Sequence, residues 1–139
     1  MISRAMLAPV VALVAWTFVV WAWMYATRLP AMRRMKIRLD SAAPRGEQMS
    51  QLPAQVRWKA DNYNHLMEMP TLFYAIGLVL AMLSPSALDV ALAWTYVGLR
   101  VAHSVFQALV NKIEVRFALF FLSSLVLIAL TVEAARAVM

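Results

Sequence analysis

There is no cysteine among the 139 residues of this chain. That absence excludes disulfides, thiolate metal ligands and a cysteine nucleophile, so any thiol chemistry needs a thiol brought in by a ligand. Charge is also scarce: 14% of residues are charged and 63% hydrophobic, with a mean hydropathy of +0.69. Such a chain is far more apolar than an average soluble domain and belongs in lipid. It contains no internal repeat, no low-complexity tract and no polar segment large enough for a soluble catalytic domain, so the functional groups are expected on the helices. Histidines and acids show no metal-ligand spacing, and no metal is expected. The net charge of +6 and pI near 10.3 come without basic residues interleaved with stacking aromatics, which argues for membrane topology and against nucleic acid.

What is present is a series of long apolar runs. Residues 5–27 carry no charge, a run longer than the roughly 20 residues that cross a bilayer core. It also exceeds the roughly 7–15 residues of a signal-peptide core, and no A-x-A-like site follows. Trp21, Trp23 and Tyr25 put the membrane surface near residues 25–28, where Arg28 closes the span. A polar loop with the turn signal Pro44-Arg45-Gly46 follows. The second span is predicted over residues 53–83, opened by Pro53 and kinked but not broken near Pro70. Ser84-Pro85-Ser86 ends it, and further spans cover 87–110 and 115–138, with Trp94 and Tyr96 marking the far interface. The fold class is therefore an all-α, integral membrane four-helix bundle forming one domain over residues 1–139.

Basic residues fix its expected orientation. Arg28, Arg33, Arg34, Lys36, Arg38, Arg45, Arg57 and Lys59 border the first loop, Lys112 and Arg116 the third, and none borders the second. By the positive-inside rule, loops 1 and 3 lie in the cytoplasm and both termini on the opposite side.

Polar residues inside spans are costly and become functional candidates. Arg57, Asp61, Asn64, His65 and Glu68 recur at three- and four-residue steps on the second helix, with Asn62 off that face. Arg100, His103, Gln107 and Asn111 follow the same spacing on the third, and the two stripes are expected to face one cavity. On one reading Glu68 pairs with Arg100, while Asn64, His103 and Gln107 join helices by hydrogen bonds. On the other, Arg57, Arg100 and Arg116 line a site for an anionic ligand, since guanidinium groups bind carboxylates bidentately. His65 and His103 are either general bases or hydrogen-bonded spacers.

Three stretches carry a resemblance to a known family: residues 61–74 (DNYNHLMEMPTLFY), 100–104 (RVAHS) and 111–117 (NKIEVRF). They resemble a prokaryotic branch of the MAPEG family, the membrane-associated proteins in eicosanoid and glutathione metabolism, and the likeness covers nearly the whole chain. The resemblance implies a homotrimer of left-handed four-helix bundles with glutathione bound between subunits near the cytoplasmic surface. It implies glutathione contacts at Arg33 or Arg34, Arg57, Asn64, Glu68, Arg100 and His103, and a catalytic Arg116 beside the thiol. The chain departs from the pattern of catalytic members at Asp61 and Asn64, which follow Arg57 where Asn and Glu are implied, and at Val101 and Val105, where tyrosines are implied.

The implied function is a glutathione-dependent transferase or peroxidase acting on hydrophobic electrophiles or lipid hydroperoxides, in the bacterial inner membrane. A non-catalytic scaffold, lipid-binding unit or accessory subunit is the alternative. A small drug exporter fits less well, because the first helix has no acid.

Overall fold

The structure is a computed structural model that describes all 139 residues. It is entirely helical: α1 (Arg4–Arg34), α2 (Glu47–Ser50), α3 (Ala54–Leu66), α4 (Met69–Met82), α5 (Ala87–Leu109) and α6 (Ile113–Val138). The rods α1, α3–α4, α5 and α6 make the bundle, and α2 is a single turn within the first loop. Three of these rods are long and apolar enough to cross a membrane: Arg4–Arg34, Ala54–Met82 and Ile113–Val138. The fourth, α5, has 23 residues, or about 34 Å at roughly 1.5 Å per residue, enough for a core about 30 Å thick. Its apolar character is diluted by Asp89, Arg100, His103, Ser104 and Gln107, all of which are buried inside the bundle. The molecule is an integral membrane helical bundle.

Local chemistry sets the helix ends. Ser3 caps α1 by accepting from the Met6 N–H. Ser86 and Asp89 form a reciprocal capping box at the start of α5: Ser86 Oγ accepts from the Asp89 N–H at 3.2 Å, and Asp89 Oδ2 accepts from the Ser86 N–H at 2.7 Å. At the end of α5, Asn111 takes the left-handed conformation (φ 57°), and its N–H reaches back to the Phe106 carbonyl, a helix-ending geometry that Asn tolerates.

The core joins Met6, Leu13 and Val20 of α1 to Leu66, Phe73 and Leu80 of α3–α4, Tyr96 of α5, and Leu127 and Leu130 of α6. Phe73 and Tyr96 stack with ring centroids 4.5 Å apart. Tyr96 is thus a core residue, where the sequence suggested an interfacial one; its neighbour Trp94 is exposed. Hydroxyls within the spans bond back to their own helices, as with Thr17 to the Leu13 carbonyl at 2.9 Å and Thr131 to that of Leu127 at 2.8 Å. No water is needed for them in lipid.

The second span is broken, where a kink was expected. Between Leu66 and Met69 the helix is interrupted, with Glu68 at φ −93°, ψ −104°. Pro70 sits in the first turn of α4, where its missing N–H is harmless. The same missing N–H would have bonded the Leu66 carbonyl four residues back, so α3 has no continuation there.

Candidate functional site

The break positions the site. In an unbroken helix the His65 carbonyl would accept from residue 69; here it accepts from the Glu68 N–H at 3.3 Å and from Arg100 Nη2 at 3.1 Å. A side chain from α5 thus occupies the gap in the second span. Arg100 is almost fully buried and forms no ion pair; the one salt bridge in the chain joins Arg136 to Glu133. The Glu68–Arg100 pair considered from the sequence is therefore absent, because Glu68 lies in the break and is exposed. Arg100 Nε and Nη1 have no partner within the chain.

Around this point lies a cavity of about 270 Å³ lined by His65, Glu68, Arg100, His103, Arg116 and an apolar wall of Ile113, Phe117 and Phe120. Its polar groups come from the end of α3, the break, the middle of α5 and the first turn of α6. Arg116 Nη1 donates to Asn111 Oδ1 at 2.5 Å, which ties the guanidinium to the left-handed residue ending α5. His65 Nδ1 and Gln107 Oε1 are 3.0 Å apart. The His65 and His103 rings lie 6.2 Å apart between centroids. Two guanidiniums against one carboxylate give the lining a positive balance, which favours an anion.

The residues singled out from the sequence are distributed over more than one place. Glu68, Arg100, His103 and Arg116 meet at this cavity. Arg57 and Asn64 line a separate pocket with Arg28 and Arg45. Arg34 borders a surface groove beside Pro53 and Gln55, and Arg33 is exposed near the end of α1. The two stripes share one cavity only in part: His65 and Glu68 meet Arg100 and His103 there, whereas Arg57, Asp61 and Asn64 line the other pocket.

The side of α3 that meets α5 holds residues the site reading passed over. Asn62, set off the stripe by the sequence reading, is buried and donates through Nδ2 to the Ser104 carbonyl at 3.1 Å. Lys59 donates to the carbonyls of Gln55 at 2.8 Å and Ala108 at 3.5 Å, its ammonium lying 5.3 Å from the Trp23 ring centroid. The signal for this face was present: Lys59, Asn62 and Leu66 recur at helical spacing.

Comparison with known proteins is consistent with this architecture. No curated protein and no solved structure matches the chain. A model of the MAPEG family matches residues 6–136, which takes in every residue of the cavity and all but the outer ends of α1 and α6, and the chain belongs to the MAPEG family.

Proposed function

We propose that the chain is a membrane-bound glutathione-dependent transferase that conjugates hydrophobic electrophiles arriving through the bilayer, with reduction of lipid hydroperoxides as a second use of the same thiolate. The observation that carries this reading is the cavity itself: Arg100 and Arg116 with one carboxylate, Glu68, against the apolar wall of Ile113, Phe117 and Phe120. Glutathione offers matching groups. Its carboxylates suit the Arg100 guanidinium, its ammonium suits Glu68, and its thiol suits Arg116.

A thiol with an intrinsic pKa of about 8.5 is mostly protonated at neutral pH, and a guanidinium beside it favours the thiolate. In the proposed reaction the thiol proton passes to water at the cavity mouth while Arg116 stabilises the sulfur anion. The sulfur then forms a bond to the electrophilic carbon, and the leaving group departs with its electron pair and takes up a proton from water. With a hydroperoxide, the thiolate takes the distal oxygen, the O–O bond breaks and an alcohol is released. A second glutathione reduces the resulting sulfenic acid, giving disulfide and water.

The cavity is slightly smaller than the roughly 300–1,000 Å³ usual for ligand sites. We therefore propose that a neighbouring copy supplies another wall, in a homotrimer. The exposure of Arg57, Asp61 and Asn64 on one side of α3 supports association, since such a face is costly against lipid tails. Loops 1 and 3 lie in the cytoplasm on this reading, in the bacterial inner membrane.

Val101 and Val105, at positions where tyrosines were implied, favour a second reading: a non-catalytic scaffold or accessory subunit. The test is a thermal-shift titration of detergent-purified protein with reduced glutathione, with a thiolate difference spectrum and an Arg116→Ala control. At about 100 times Kd, binding stabilises the folded state by about 2.7 kcal/mol. Stabilisation with an Arg116-dependent thiolate band supports the enzyme. No shift at millimolar glutathione rejects it and leaves the scaffold.

A further inference from the structure

The cavity holds a base that the thiolate chemistry leaves idle. His65, the last residue but one of α3, lines it together with Arg116, the proposed partner of the sulfur anion. We propose, resting on the glutathione reading, that His65 is the relay through which the thiol proton leaves for water, and that Gln107 positions its ring.

Three contacts fix His65. Its carbonyl accepts from Arg100 Nη2 at 3.1 Å and from the Glu68 N–H at 3.3 Å, which anchors its backbone at the break. Its ring Nδ1 lies 3.0 Å from Gln107 Oε1. Nε2, by contrast, is neither hydrogen-bonded nor among the polar atoms sealed inside the bundle, so it is the nitrogen open to the cavity. A group that moves a proton has to be held within reach of it, and these contacts hold this one. His103, the other imidazole of the cavity, is almost fully buried, whereas His65 is partly exposed.

Gln107 is fully buried, and its amide is half used: Oε1 meets His65 while Nε2 has no partner. A sealed N–H without an acceptor is costly, so the joining of helices is a poor account of this amide. Positioning the ring is a better one. An amide both accepts and donates, so Gln107 can stay bonded to Nδ1 in either protonation state of the imidazole.

The step balances. The S–H bond breaks with its electron pair left on sulfur, Nε2 uses its lone pair to form the new N–H bond, and the imidazolium passes that proton to water. Imidazole is a far stronger base than water, so the relay speeds a transfer that water alone performs slowly. Glu68 from the break, Arg100 and His103 from α5 and Arg116 from α6 are the charged and titratable groups that share the cavity with the ring. With two guanidiniums against one carboxylate, the sulfur anion is the species this lining holds, while the proton goes outward past Glu68, which is exposed. The two roles are therefore separable: Arg116 sets how much thiolate exists at equilibrium, and His65 sets how fast it forms.

The test is stopped-flow mixing of the full chain in detergent with reduced glutathione, read by thiolate absorbance. His65→Ala should reach the wild-type final band about a hundredfold more slowly. Added imidazole should restore the rate by entering the space the side chain vacates. His65→Gln keeps a hydrogen-bonding side chain beside Gln107 and covers the case in which the alanine variant fails to fold; it should be as slow. The Arg100 bond is to the main chain and is kept in both variants. Gln107→Leu should slow the band less and gain nothing from imidazole, because the ring is still present but no longer held. A wild-type rate in the His65 variants overturns the relay and leaves the glutathione reading standing. A slow His65→Ala that imidazole does not restore makes the ring structural and also overturns it. No band in the wild type rejects the glutathione reading and the relay together.

Discussion

Arg100 Nη2 donates to the main-chain carbonyl of His65 at 3.1 Å, so a side chain of α5 serves a backbone acceptor at the break that ends α3. Substituting Arg100 by Met should leave that carbonyl with only the Glu68 N–H and should cost about 1–2 kcal/mol of stability, the upper range for polar contacts between membrane helices. Unfolding in mixed micelles reads the loss. Arg100→Lys should recover part of the stability but little of any glutathione shift, because an ammonium lacks the planar fork.

Asn111 has two separable roles. Its left-handed backbone (φ 57°) ends α5, and its side chain holds Arg116. Asn111→Gly keeps the turn and frees the guanidinium, whereas Asn111→Ala also strains the backbone, by about 1–2 kcal/mol. The expected result is that both variants weaken an Arg116-dependent thiolate band and only the alanine variant lowers the melting temperature appreciably.

Gly77 marks the close approach of α4 to α1: a Cβ there would lie 2.7 Å from Val10 Cγ2. Gly77→Ala should therefore destabilise the bundle by about 1–3 kcal/mol, as overpacking does. Val10→Ala in the same chain should restore much of that loss. A double-mutant cycle measured by thermal unfolding would show the coupling, and strict additivity would disprove the contact.

The absence of cysteine makes topology directly measurable. Single cysteines at Arg38 and Lys112 should react with a membrane-impermeant maleimide only from the cytoplasmic side, and one at Ser84 only from the opposite side. Labelling of Ser84 together with Arg38 from one side would defeat the positive-inside orientation.

The apolar runs were legible in the sequence because a bilayer demands length and hydrophobicity and little else. The direction of individual polar side chains was less so. Reading Arg57 through Glu68 as one stripe assumes uninterrupted helical geometry, but α3 ends at Leu66, so Glu68 points where the break directs it. Asn62 and Lys59 were left without a role for a different reason. Spacing shows which residues share a face but not which face meets α5, and that depends on how Ser104, Gln107 and Ala108 present carbonyls and amides across the interface. The Tyr96 ring was assigned to the headgroups by residue type alone, whereas stacking on Phe73 draws it into the core.

The break in the second span also bears on how the protein is made. Synthesis runs from the N-terminus, so α3 and α4 reach the bilayer ahead of α5, and until α5 joins them the His65 carbonyl lacks its donor from Arg100. Completion of the second span is therefore post-insertional. A chain truncated before residue 100 should enter the membrane but remain an easy target for quality-control proteases, because the residue that finishes its second crossing belongs to the third.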